Sequence, residues 1–205
     1  MSGKRWRLGF LASHRGSNMQ AIIAACHSGR INAEPVLVIS NNRDAMALQR
    51  AASAGVPATH LGAGDFPDAQ ALDRAIAAEL KQQQVDLVIL AGYMKRLGPL
   101  VLAAFPNRVI NIHPGLLPRY GGKGMYGGRV HAAVVAAGDK ETGITVHLVD
   151  GEYDHGATLA EQRVAVLPGE SAEELAARML PMEHEMYVNT ISAIVTGRIP
   201  MPSTR

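Results

Sequence analysis

Apolar runs of four to seven residues alternate along this chain with segments whose apolar residues recur every three or four positions, the rhythm of an α/β fold. Arg7 to Ala12 reads as a first buried strand and Ser13 to Ser17 as a polar turn. Met19, Ile22, Ile23 and Cys26 then stand at i, i+3, i+4 and i+7, which predicts an amphipathic helix stopped at Gly29. Pro35 to Ser40 predicts a second strand, Asp44 to Ala54 a helix ended by Gly55, Pro57 to Leu61 a short third strand, and Asp68 to Gln84 the next helix.

Asp86 to Ala91 is apolar almost throughout, as a central parallel strand covered on both faces must be. It leaves through Gly92-Tyr93-Met94-Lys95-Arg96, and a short helix over Pro99 to Ala104 leads to a strand, Arg108 to Ile112, that runs straight into His113-Pro114. A loop from Gly115 to Gly128 follows, with five glycines between Gly121 and Gly128. Val130 to Ala137 is helical, Gly143 to Asp150 a strand with clean alternation, Gly151 to Gly156 a polar turn, and Thr158 to Val166 a further strand. Ser171 and Glu174 form a capping box before a helix in which Leu175, Met179, Met182 and Met186 keep the period through Pro181, which should kink it. From Gly197 the tail should be loose. No repeat, low-complexity block or linker divides the chain, so one domain is expected over 1–205, a single Rossmann-like α/β unit with a mostly parallel sheet flanked by helices.

Composition narrows the function. The chain has 205 residues, 47% of them hydrophobic, with 20 Lys+Arg against 18 Asp+Glu and a formal charge of +2. That balance, with no cationic run, argues against a nucleic-acid or membrane-surface partner and leaves small molecules. The single cysteine, Cys26, cannot form an internal disulfide and has no metal-ligand companion, which fits a reducing cytoplasm. The opening apolar run, Leu8 to Ala12, is too short for a signal peptide, and no stretch reaches the roughly 18 apolar residues of a membrane span.

Three segments carry candidate chemistry. Ser13-His14-Arg15-Gly16-Ser17-Asn18 lies between a strand and a helix, where unpaired N–H groups and the helix dipole can hold a phosphate. The same residues also suit plain N-capping by Ser17 or Asn18. No dinucleotide or P-loop glycine pattern is present, and the second strand ends in Ser40-Asn41 without the acidic residue that grips a nicotinamide-cofactor ribose. Asn111-Ile112-His113-Pro114 closes a buried strand, and alternation points Asn111 and His113 to the same side. A carboxamide and an imidazole there could serve as oxyanion donor and proton carrier, or His113 could be a satisfied structural histidine. Asp150-Gly151-Glu152-Tyr153-Asp154-His155-Gly156 could bring a carboxylate to His113 or be a solvated turn. His147, inside the preceding strand, suits a hydrogen-bonded core position, or one that supports a neighbouring site residue, better than a catalyst. No paired His or Cys pattern supports a metal site, and no G-x-S-x-G elbow supports a serine hydrolase.

Taken in order, the strand-GSN-helix start, AGYMKRL, INIHPGLLPRY, ETGITVHLVDGEYDHG and MEHEMY resemble the phosphoribosylglycinamide formyltransferases of purine synthesis, over about Leu8 to Ile199. The resemblance implies transfer of a formyl group from 10-formyltetrahydrofolate to glycinamide ribonucleotide, without a metal, by a monomer or homodimer. It places Asn111, His113 and Asp154 as catalytic residues, and Gly16, Ser17 and Asn18 as the phosphate loop. Glu183 becomes the ribose-binding acid. Met94, Lys95, Arg96 and Leu97, with Asn111 and the Asp150 to Asp154 turn, would meet the folate. Gly115 departs from the family's usual Ser, and the glycine-rich loop is longer than in many relatives. The implied chemistry is a tetrahedral oxyanion met by Asn111 and protonated His113, with Asp154 within about 4 Å favouring the imidazolium. Three other readings are weighed: hydrolysis of 10-formyltetrahydrofolate, whose enzymes carry an amino-terminal regulatory domain; a methionyl-tRNA formyltransferase, which would need a longer chain and a basic surface; and a non-catalytic binder of an anionic metabolite. A binder has no reason to assemble Asn111, His113 and Asp154 together.

Overall fold

The computed structural model describes residues 5–203; residues 1–4 and 204–205, the ends of the expected 1–205 domain, lie outside the described residues. Its strands are β1 (Trp6–Leu11), β2 (Ala33–Ser40), β3 (Ala58–His60), β4 (Leu87–Leu90), β5 (Val109–His113), β6 (Glu141–Leu148) and β7 (Thr158–Ala165). They form one sheet in the order β3-β2-β1-β4-β5-β6-β7. The pairs among β1 to β5 are parallel, and β6 and β7 add an antiparallel margin. The helices are α1 (Ser17–His27), α2 (Met46–Ser53), α3 (Ala69–Gln82), α4 (Pro99–Ala104), α5 (Gly128–Ala136) and α6 (Ala172–Val195). The fold is the mostly parallel, helix-flanked α/β domain that the pattern predicts.

The unbroken apolar character of β4 follows from its two covered faces. Leu87 and Ile89 pack with residues of α1, α5 and α6, while Val88 and Leu90 pack with α3 and α4. Each such side chain contributes roughly 1.5–3 kcal/mol by leaving water, so the central strands anchor the molecule. Close approach of α3 to β1 needs Gly9, where a Cβ would lie 2.8 Å from Leu80 Cδ2.

The differences from expectation have local causes. α2 starts at Met46 rather than Asp44 because Ala45 is extended, at φ −63° and ψ 128°. β6 spans Glu141–Leu148 instead of 143–150, since polar Glu141 and Thr142 are paired to Ala165 and Val164 while Val149 has left the β7 ladder. α6 runs from Ala172 to Val195 with Pro181 inside it, where the missing N–H leaves one gap in the helical ladder. The tail is not loose: the Ile199 N–H donates to the Ala193 carbonyl, Ile199 and Met201 pack on the core, and Arg108 and Asn107 donate to the carbonyls of Pro202 and Ser203.

Strand order reverses between β1 and β4, so their exit loops part there and leave a crevice, the usual ligand site of such sheets. Two devices fix it. The Ser13 N–H donates to the Gly92 carbonyl and the Met94 N–H to Ser13 Oγ, tying the two loops together. Tyr187, fully buried on α6, points its hydroxyl at the carbonyls of Leu90, the last residue of β4, and Ile110, in the first half of β5, at 3.1 and 3.2 Å. Tyr187→Phe keeps the packing and removes this clamp. It should lower stability by about 1 kcal/mol, read as a lower urea midpoint at constant slope; an unchanged midpoint would show that the clamp contributes nothing.

Candidate active site

β5 delivers Asn111 and His113 to the crevice. In the antiparallel register Asn111 lies opposite His147 and His113 opposite Thr145. The Asn111–His147 pair therefore meets side chain to side chain, with Asn111 Nδ2 and His147 Nε2 3.1 Å apart. The other ring nitrogen of His147 lies 2.8 Å from the Leu148 carbonyl. A carbonyl only accepts, so Nδ1 carries a proton, and in the neutral ring Nε2 accepts from Asn111. That orients the carboxamide with its second N–H free. His147 is thus more than a core histidine.

Asp154 completes the cluster from the turn after β6. Its φ of 55° is a left-handed conformation that Asp tolerates better than most residues. The turn closes tightly at Gly156, where a Cβ would lie 1.9 Å from the Leu148 carbonyl oxygen. The carboxylate is nearly buried: Oδ2 accepts from the Gly122 N–H at 2.9 Å and stands 3.5 Å from His113 Nδ1, and Oδ1 stands 3.5 Å from His147 Nε2. His113 Nε2 donates to the Tyr120 carbonyl at 2.9 Å. Both His113 nitrogens therefore face acceptors, and the glycine-rich loop is attached to the cluster at two points.

Burial and charge compete here. Burial pulls the His113 pKa below the ordinary value, and the Asp154 carboxylate and Tyr120 carbonyl pull it back without restoring it. Burial alone would raise the Asp154 carboxyl, but the two imidazoles and the Gly122 N–H outweigh it and hold Asp154 low. The expected carboxylate is in reach, yet the unliganded His113 is neutral at pH 7. This corrects the expectation of a standing imidazolium: desolvation of a nearly buried ring exceeds the pull of one carboxylate 3.5 Å away.

Two cavities flank the cluster. One, of about 230 Å³, is lined by His113, Asn18, Glu183 and the loop from Gly122 to Gly127. The other, of about 60 Å³, is lined by His147, Lys95, Arg96, Leu97 and the turn from Gly151 to Asp154. Asn111 and Asp154, together with Tyr93 and Tyr153, line both and so lie at the wall between them. A group entering from one side and a group entering from the other would meet at that wall.

Of the remaining candidates, Asn18, Glu183, Met94, Lys95, Arg96 and Leu97 line these cavities, whereas Gly16, Ser17 and Asp150 line neither. Gly16 is the residue before α1, left-handed at φ 64°, where a Cβ would lie 2.8 Å from that of Ala47. No side chain caps α1, so capping by Ser17 or Asn18 is not what these residues do. Asn18 lines the larger cavity and donates from Nδ2 to Glu183 Oε2 at 3.3 Å, while its buried Oδ1 has no partner among the described residues. Met94 lines the larger cavity, and Lys95, Arg96 and Leu97 the smaller. Asp150 is brought to neither; its carboxylate pairs with His155 Nδ1 at 2.8 Å on the surface. Gly115 lies beside His113, and a Cβ there would be 3.2 Å from Nε2 and 3.1 Å from Val130 Cγ1. Sequence reasoning allowed His147 a supporting place but not its partner; its position opposite Asn111 could have been found only by knowing that β5 and β6 pair. Among the described residues, no group of three His, Cys, Asp or Glu side chains is placed to hold a metal ion, and no helix is long and apolar enough to cross a membrane.

Burial raises the Glu183 carboxyl to about 7, against the weaker opposing pull of the Asn18 amide. An acid whose folded pKa lies above its unfolded one stabilises the fold fully below the unfolded value, near 4.5, and loses that contribution as pH rises through about 7. Glu183→Gln should therefore raise the melting temperature at pH 8 and change it far less at pH 4.5. A gain independent of pH would contradict this.

Comparison with known proteins agrees with this geometry. The family model described as formyl transferase matches residues 6–191. Phosphoribosylglycinamide formyltransferase of Haemophilus influenzae is 40% identical over 193 residues, which cover 94% of this chain and 89% of that protein. The chloroplastic phosphoribosylglycinamide formyltransferase of Arabidopsis thaliana is 39% identical over 96% of this chain and 68% of its own length. The crystal structure of glycinamide ribonucleotide transformylase 1 from Symbiobacterium toebii superposes with a TM-score of 0.91 at 38% identity, over 100% of this chain and 98% of that one. With a double-sided site at the β1–β4 crevice and likeness along almost its whole length, this chain belongs to the formyl transferase family.

Proposed function

We propose that this protein is a phosphoribosylglycinamide formyltransferase, moving the formyl group of 10-formyltetrahydrofolate to the amine of 5-phosphoribosylglycinamide in purine (IMP) synthesis. The observation that carries the reading is the pair of cavities meeting at Asn111 and Asp154, one substrate to each side. The folate occupies the side of Lys95, Arg96, Leu97 and the 151–154 turn, where the hydrophobic walls Leu90, Leu102 and Val149 suit a flat ring. The ribonucleotide occupies the side of His113, Asn18 and Glu183, with its ribose hydroxyls donating to the Glu183 carboxylate and to Asn18 Oδ1. Its phosphate lies at the start of α1, by Gly16 to Asn18, where helical N–H groups lack intrahelical acceptors. The free, buried Cys26 thiol suits the reducing cytoplasm in which we place the reaction.

The amine nitrogen attacks the formyl carbon, and the carbonyl electron pair moves onto oxygen. Asn111, already oriented by His147, offers its free N–H to that oxyanion. Neutral His113 takes the proton that the amine loses, and the emerging negative charge and Asp154 then favour the imidazolium that burial alone resists. Its Nε2 proton, held by the Tyr120 carbonyl in the unliganded protein, turns to the oxyanion once the loop shifts on binding. As the carbon–N10 bond breaks, N10 of the folate receives a proton relayed from His113 through water, and the products are the formylated amide and tetrahydrofolate. No covalent enzyme intermediate arises.

Purified protein should deformylate 10-formyltetrahydrofolate only when the ribonucleotide is present. Equal rates with and without it would favour the hydrolase instead, and no turnover with either would reject the enzyme. Asn111→Ala should lower kcat by roughly a hundredfold, the usual loss for one oxyanion donor, with the ribonucleotide KM nearly intact; near-normal turnover would remove Asn111 from the mechanism.

Asp154→Asn keeps the size and deletes the charge that pulls the His113 pKa upward. That pKa should fall further below the ordinary value, and kcat should drop by more than roughly tenfold near neutrality, partly recovering at lower pH. NMR titration of His113 in both proteins checks this. If neither the pKa nor the pH–rate profile moves, Asp154 does not act through His113.

A further inference from the structure

The charge inventory of the larger cavity leaves one gap in the reading above. Its ionisable walls, tyrosines aside, are Asp154, Glu183, His113 and Lys123. Asp154 is an ion at pH 7, Glu183 is partly ionised, and His113 is neutral. A phosphate monoester brings about −1.5 to −2 further charge into this space. Two unit charges 4 Å apart cost or yield about 1 kcal/mol even in bulk water, and more beside protein. An acidic cavity that accepts a phosphate needs a fixed cation, and Lys123 is the one these walls supply.

Lys123 is free for that task. It forms no ion pair among the described residues, in contrast to Arg119, which is held by Asp139 at 2.9 Å in the same loop. It stands in Gly121-Gly122-Lys123-Gly124, where Gly122 and Gly124 have φ of 95° and 89°, so the backbone on either side can swing where other residues would resist. The Gly122 N–H is at the same time bonded to Asp154 Oδ2, one peptide from Lys123. A charge captured by Lys123 is therefore felt directly at the Asp154 carboxylate.

The folate does not compete for this lysine. The smaller cavity has its own cations, Lys95 and Arg96, and Lys123 is not part of its wall. Lys123 shares its cavity with Asn18, from the first turn of α1. We infer that Lys123 is the cationic contact for the acceptor's phosphate monoester, closing the glycine-rich loop against the amino end of α1 when the ribonucleotide binds. This rests on the formyl-transfer reading.

The test compares the ribonucleotide with the same acceptor lacking its phosphate. Lys123→Ala should reduce the preference for the phosphorylated acceptor, as a ratio of kcat/KM values, by roughly ten- to a hundredfold, the range for a hydrogen bond to a charged group. Lys123→Arg should restore most of it, and the folate KM should stay within about twofold of wild type. An unchanged preference, a parallel loss with both acceptors that Arg does not rescue, or a rise confined to the folate KM each overturns the inference. If the wild-type protein formylates neither acceptor, the formyl-transfer reading falls by itself. Lys123 is then judged by NMR titration with ribose 5-phosphate, followed at the Gly122 and Gly124 amides. A Kd raised about tenfold in Lys123→Ala supports the contact, and equal Kd values refute it.

Discussion

The carboxylate of Asp154 is the constraint on which the site depends. A nearly buried charge is tolerable only beside polar groups, and Asp154 gathers them from three separate segments, accepting a hydrogen bond from one. His113 comes from the end of β5, His147 from β6 and the Gly122 N–H from the glycine-rich loop. Each partner is thereby placed by the same anion. Displacing the turn that carries Asp154 would take the carboxylate away from two imidazoles and leave the Gly122 N–H, the inner attachment of the loop, without its acceptor.

Around this anion the fold builds an asymmetric partition. The parallel half of the sheet supplies the crevice at the β1–β4 reversal, and the antiparallel margin supplies His147 and the acidic turn that divides it. Asn111 and Asp154 face both sides, whereas His113 faces only the larger cavity and His147 only the smaller. Such a wall suits the transfer proposed above, in which the reacting carbon would cross it while the remainder of each molecule stayed in its own compartment.

The loop from Leu117 to Gly127 touches the buried cluster as well as the surface. Its Tyr120 carbonyl occupies His113 Nε2, its Gly122 N–H occupies Asp154, and its outer part is held through Arg119 and Tyr120 to Asp139. Glycine at 121, 122, 124 and 127 gives the stretch between these anchors backbone freedom. Loop position and the protonation of His113 are therefore linked, since moving the carbonyl changes what the imidazole can donate to.

The order of strands and helices, their apolar faces and the candidate pair Asn111 and His113 were legible in the chain, because periodicity and strand-end polar residues are local signals; Asp154 was singled out from its acidic turn only by the family resemblance. The capping box at Ser171 and Glu174 was legible for the same reason, and it forms as expected. The tail was misread because what holds it, the Arg108 and Asn107 donors, lies about ninety residues earlier. The limits of β6 and the part played by His147 depended on a pairing that no single strand encodes. Asp150 and Asp154 belong to one acidic turn and look alike in sequence. Backbone geometry sends one to His155 at the surface and the other to the buried histidines. The protonation of His113 was the least accessible of all. Sequence determined which ionisable groups exist and roughly who their neighbours are; tertiary structure decided how much water each retains, and that desolvation outweighs a carboxylate 3.5 Å away.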